Sequence, residues 1–224
     1  MKRKFSVLKN GILASALVLA ATASQAATIV GANSATASST FGPGNDISNA
    51  IDQTGLSSTY ISGVTDFDAY LATNPTHNTL NTTEWFTATP VSSATLVFDL
   101  GSVLSLDRLA LWHEDGAGFT SALLSSSTDG VNFSSLGSIS PLASPANIDY
   151  GAQVFGFGSV TSLQFFRMEL SGCPQAGGLS FSGCGLGEIA FSRVAAIPVP
   201  GAGLMLLTGL GIGAAVGRRR RRSA

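Results

Sequence analysis

The sequence predicts an all-β domain, a jelly-roll β-sandwich, over residues 27–196. Three observations carry this. Short apolar runs alternate in and out with a period of two. Gly, Ser, Asn and Asp separate them. No long stretch has helical periodicity. Many short strands joined by polar turns pack best as two sheets face to face. A chain of this length can bury roughly 70% of its unfolded surface, enough for a core of its own. No unit of 20–50 residues repeats.

The strands follow in order. Thr95–Leu100 (TLVFDL) places Leu96, Phe98 and Leu100 on one face. Leu106–His113 (LDRLALWH) places Leu109 and Leu111 on one face and Arg108, Ala110 and Trp112 on the other. Leu163–Leu170 groups Phe166, Met168 and Leu170, and Glu188–Ser192 groups Ile189 with Phe191. Asp115-Gly116 and Asp129-Gly130 mark turns.

The two ends read as addresses rather than fold. Residues 1–26 have a basic start, an apolar run Gly11–Ala23 and small residues before a cut after Ala26. This is the layout of a signal peptide removed by signal peptidase, with an uncleaved anchor as the alternative. At the other end, Pro198 and Pro200 form a breaker, residues 201–217 carry no charge, and Arg218, Arg219, Arg220, Arg221 and Arg222 follow. A helix of 17 residues reaches about 25 Å, at the short end of what a bilayer needs. The arginines would stay in the cytoplasm. The expectation is a membrane anchor with the middle region outside and the tail inside.

Charge sharpens the division. The formal net charge of -1 is +4 from Lys2, Arg3, Lys4 and Lys9, -10 from the middle, and +5 from the terminal run. The middle sets 13 acids against Arg108, Arg167 and Arg193 and has no lysine. Such a domain repels phosphate, which excludes a nucleic-acid binder. An apolar share of 45% with low net charge excludes a disordered chain.

Residues 197–224 resemble the PEP-CTERM class of bacterial sorting signals, in the VPLPA-like form. The breaker, the apolar segment and the arginine cluster carry the likeness; the Glu of the Pro-Glu-Pro form is missing. The resemblance implies export across the inner membrane, transient anchoring there with a periplasmic ectodomain, and recognition by an exosortase-like membrane transpeptidase, then release to the cell surface or outside. A plain membrane anchor is the alternative.

The ectodomain resembles the F5/8 type C, or discoidin-like, domains of the galactose-binding-like fold. The matches run in order through Ala37-Ser38-Ser39, Asn49-Ala50-Ile51-Asp52, Trp85-Phe86, Phe98-Asp99-Leu100-Gly101, Leu106–Trp112, Ser127–Phe133, Phe165–Met168 and Gly187–Phe191. Tyr60–Thr83 is longer than the usual interval, and the Cys173–Cys184 segment is extra. The resemblance implies one structural Ca²⁺, with Asp52 and Glu188 as side-chain ligands. Thr59 and the carbonyls around Thr54 and Gly55 would complete the shell. Calcium takes six to eight oxygens; the alternative is an Asx turn at Asp52 and a solvent-facing Glu188.

Cys173 and Cys184 are the only cysteines, and both lie outside the membrane on this topology. An oxidising compartment favours a disulfide between them, with no His in the segment to make a metal site. For ligand binding, the loop His113, Glu114, Asp115, Phe119 offers carboxylates for sugar hydroxyls and an aromatic face for sugar C–H groups. The inserted segment with Asp66, Phe67, Asp68, Tyr70 and His77 offers the same mixture. The competing reading makes the tryptophans core and the acids solvated loop residues. No HExxH, GxSxG or Walker motif occurs, and no spacing selects a carboxylate pair, so no catalytic residue is assigned. The leading function is a non-catalytic carbohydrate- or exopolysaccharide-binding module. A structural surface or biofilm protein without a pocket comes next, and an extracellular hydrolase last.

Overall fold

The computed structural model describes residues 26–177 and 181–194. The expected signal peptide and the sorting segment, with Pro198, Pro200 and Arg218–Arg222, lie outside these residues. Among the described residues no helix is long and apolar enough to cross a membrane.

Ten strands and one short helix follow in chain order. They are β1 (Thr28–Val30), β2 (Ser34–Ala37), α1 (Phe67–Ala72), β3 (Thr76–His77) and β4 (Trp85–Phe86). Then come β5 (Ser93–Trp112), β6 (Ser121–Ser127), β7 (Ser134–Ile139), β8 (Tyr150–Ser171), β9 (Gly185–Leu186) and β10 (Glu188–Arg193). The strands are antiparallel throughout.

Two long strands, β5 and β8, make the sandwich by belonging to both layers. The first half of β5 pairs with β2 and with the second half of β8, which continues to β6 and β7. The second half of β5 pairs with β10, which carries β1, and with the first half of β8, which touches β3. The sequence suggested two separate strands, Thr95–Leu100 and Leu106–His113. The structure joins them, with a register break between Asp99 and Leu104. Gly101 makes the bend: its φ of +76° is a conformation that only glycine adopts cheaply. The Asp99 carboxylate accepts from its N–H at 2.7 Å.

Between the layers lies the main core. Leu96 and Phe98 from one layer meet Leu109, Leu111, Ile189 and Phe191 from the other. Phe98, Phe166 and Phe191 form an aromatic centre, with Phe166 edge-on to Phe191 at 5.1 Å between centroids. The period-two pattern therefore assigned the inward faces correctly. The opposite face of β5 is buried too. Ala110 and Trp112 join Ile29, Tyr60, Phe67, Tyr70, Tyr150 and Ala190 in a second cluster. The extra segment before Trp85 is what covers them. Its helix α1 is capped by Asp66, which accepts from the Ala69 N–H at 2.6 Å. Arg108 crosses the Phe67 ring and donates to Asp68 at 2.8 Å.

Cys173 and Cys184 form the expected disulfide. It ties the segment after β8 to β9, which pairs with β4 through Trp85 and Leu186.

Candidate functional site

One end of the sandwich gathers the segments after β2, after α1, between β5 and β6, before β8 and before β9. Their residues enclose a cavity of about 270 Å³. Glu84, Glu114 and Asp115 line it, together with Phe41, Phe86 and Phe181 and the polar residues Asn45, Asn81 and Asn147. Phe181 lies edge-on to both Phe41, at 5.5 Å, and Phe86, at 5.2 Å. Phe41 is 54% exposed, so a large apolar ring stands open at the mouth.

Local structure places each acid. Glu114 and Asp115 sit at the expected turn that ends β5. The Glu114 carboxylate is held from below by its own turn: Oε1 accepts from the Gly116 N–H at 2.9 Å, and Oε2 from the Ala117 N–H. Asp115 Oδ2 accepts from the Asn147 N–H at 2.5 Å, and the Asp115 carbonyl accepts from Gln175. Glu84 immediately precedes β4, and its Oε1 accepts from the Tyr150 hydroxyl at 2.5 Å. Gly185 allows the close approach: a Cβ there would meet Glu114 Oε2 and the Phe86 ring at 2.9 Å.

One carboxylate oxygen from each acid lies within 4.8 Å of the other two, and all three residues are at most 3% exposed. Among the described residues no cation faces them. The consequence is a raised affinity for protons. Burial pushes Glu84 up to about 9, against the pull of the Tyr150 hydrogen bond. Burial also pushes Glu114 up to about 7, opposed by its two backbone N–H donors.

The other expected site residues are placed differently. His113 and Phe119 do not line the cavity. Both are fully buried, the Phe119 N–H donates to His113 Nε2 at 2.9 Å, and the rings pack edge-on. Phe119 thus offers no face to a sugar; it belongs to the core beside its loop partner. Burial pushes His113 down to about 4, which keeps it neutral. His77 is buried behind the cavity, stacked on Tyr150, with Nδ1 against the Asn78 carbonyl at 2.8 Å. A carbonyl only accepts, so Nδ1 holds the proton. His77 therefore supports the Tyr150–Glu84 contact rather than meeting a ligand. Phe67 and Tyr70 are also core residues.

Glu188 is fully buried rather than solvent-facing. Its Oε2 accepts from the Gln53 N–H at 3.0 Å, while Oε1 has no hydrogen-bond partner. Burial, with the nearby Asp52 charge second to the Gln53 contact that opposes it, holds its pKa well above the carboxylate range. Asp52 is exposed and closes an Asx turn on the Thr54 N–H at 2.8 Å. Thr59 lies exposed in a shallow hollow with Ser57, Ser58 and Tyr70.

Sequence reasoning reached Glu114 and Asp115 but missed Glu84, Phe41, Phe86 and Phe181. One signal was available: Glu84 is a lone acid set directly against Trp85-Phe86, where a charge is costly unless a site requires it.

No family model matches the chain, and no curated protein matches it. Its fold is shared with solved structures. A selenomethionine-labelled mutant of chitosan-binding module 1, from a chitosanase/glucanase of Paenibacillus sp. IK-5, is 19% identical. The match covers 74% of this chain and 98% of the module, with a TM-score of 0.50. The CBM32 module of AlyQ, solved with 4,5-unsaturated mannuronic acid, is 19% identical over 73% of this chain and 96% of its own, at 0.44. A Clostridium perfringens module, CpGH89CBM32-5, solved with GalNAc-β-1,3-galactose, is 16% identical over 70% and 93%, at 0.44. At these identities the likeness is one of fold.

Proposed function

We propose that this chain is a non-catalytic carbohydrate-binding module on an exported, envelope-associated protein, and that the cavity at the end of the sandwich is its sugar site. The observation that carries the reading is the cavity's composition. An open aromatic ring shares one cavity with buried carboxylates and side-chain amides. This is the pairing a sugar needs for its C–H face and its hydroxyls. The test is a binding array of neutral, acidic and amino polysaccharides probed with the purified chain. Binding to one class, lost in Phe41→Ala without loss of folding, supports the site. An empty array favours a structural surface protein instead.

A second reading follows from the carboxylate cluster itself, because paired acids also hydrolyse glycosides. The geometry favours it less. Glu114 spends both oxygens, and Asp115 one, on backbone N–H groups, and the acids gather on one wall rather than flanking a bond. Release of reducing ends from a bound polysaccharide would establish the enzyme.

The export route is part of the proposal. Signal peptidase removes residues 1–26, an exosortase-like transpeptidase acts at the tail, and the protein passes from the inner membrane to the surface. The intact mass of the native protein tests both ends together. A structural Ca²⁺ near Asp52 and Glu188 is also proposed. Glu188 fits the role, since its buried Oε1 lacks a partner and a cation would remove that cost. Thr59 contributes no buried oxygen to the set. The ion would act as a structural brace for the loop after Asp52.

A further inference from the structure

The fold alone does not select among sugars, but the charges of this chain's own cavity do. Resting on the carbohydrate reading above, we propose that the cavity takes a cationic sugar: a hexosamine residue with a free, protonated amine, its ammonium on Glu84 and Asp115 and its ring against Phe41.

The argument starts from an unpartnered group. Glu84 is 1% exposed, and its Oε1 is bound by Tyr150. Its Oε2 has no donor among the described residues, although the residue lines the cavity. Asp115 is 2% exposed; its Oδ2 is held by the Asn147 N–H, and its carboxylate also meets the Glu114 carboxyl. Glu84 Oε2 is not sealed off by the protein, so a donor arriving in the cavity can reach it. A ligand donor that reaches Glu84 Oε2 and the Asp115 carboxylate together is favoured there. An ammonium carries three N–H donors on one atom and satisfies both.

Every titratable group facing this point agrees. Glu114 adds a third carboxyl and no free oxygen, its two being committed to Gly116 and Ala117. Tyr150 donates to Glu84, and His77 behind it is buried with its pKa lowered, so it brings no positive charge. Among the described residues no lysine or arginine lines the cavity. An anionic uronic acid would place like charges together; an N-acetyl group would set an uncharged amide against unpaired carboxylates. A bare divalent ion fits less well. It asks for six to eight oxygens, whereas both Glu114 oxygens and one Asp115 oxygen are already taken by backbone N–H groups and three aromatic rings line the same cavity.

Calorimetry of the purified full-length chain decides the matter, using glucosamine oligomers and N-acetylglucosamine oligomers of equal length at neutral pH. The free-amine series should bind at least about tenfold more tightly, as a charge-assisted contact requires. Its binding should release protons to the buffer, because Glu84 gives up its proton to meet the ammonium. Glu84→Gln should remove the tenfold preference and the proton release. Phe41→Ala, at an exposed position, should weaken both series. Equal affinity for the two series, or tighter binding of the N-acetylated one, overturns the amine assignment and leaves a neutral-sugar site. Binding that requires added Ca²⁺ overturns it in favour of a metal bridge. No binding of any sugar removes the carbohydrate reading itself.

Discussion

Replacing Glu84 by Gln should make the unliganded protein more stable at alkaline pH, although it alters a buried polar residue. In the folded protein, burial raises the Glu84 pKa to about 9 from the ordinary 4.5. The folded state thus keeps a proton that the unfolded chain has already released. The stability is fully present below the unfolded pKa and is lost as pH rises from 4.5 toward 9. The slope is about 1.36 kcal/mol per pH unit, so from about pH 5 to about pH 8 this one group costs about 4 kcal/mol. For a domain of this size that lowers Tm by on the order of 10 °C. The amide of Gln keeps an oxygen for the Tyr150 hydroxyl and does not titrate. Thermal melts of both proteins across this range should show a flatter profile for Glu84→Gln, and the higher Tm for the variant near pH 8. Glu188 has a shift of the same sign and leaves some slope in both proteins. Parallel profiles, or a variant less stable near pH 8, would refute the idea that Glu84 is buried with a strongly raised pKa.

Four further outcomes are expected. Replacing both Cys173 and Cys184 by Ser should cost roughly 2–3 kcal/mol in a denaturant melt, since the bond closes a loop of about 12 residues. Phe166→Ala should cost about 3–5 kcal/mol, because Phe166 is fully buried between Phe98 and Phe191. The exposed Asp68→Ala should change stability by at most about 1 kcal/mol, its ion pair with Arg108 being solvated. Added Ca²⁺ should raise Tm if the ion braces Glu188, and EDTA should reverse it. A melt indifferent to both would remove the calcium.

The faces of the central strands could be read from residues 95–112 because alternation is local. Leu109 and Leu111 could not share a face with Trp112 in any extended strand. The same locality explains the partial view of the site. Glu114 and Asp115 stood out beside a turn-forming Gly116. Glu84 comes from 30 positions earlier and meets them only because β4 and β9 pair at the sandwich end. His113 and Phe119, with the right chemistry at the right loop, turn inward because their own hydrogen bond closes the loop on itself.

By itself the sequence determined a β-sandwich, its inward-facing residues, the cysteine pair and the acidic, lysine-free character of the middle region. Each follows from spacing along the chain or from composition. The tertiary structure alone decided that β5 and β8 bend through both layers, and that the segment before Trp85 seals the outer face. It also decided that three carboxylates from two distant segments converge on an aromatic wall. Those are consequences of strand pairing and loop closure over long separations, where a residue's burial and its charge depend on neighbours that the local sequence does not contain.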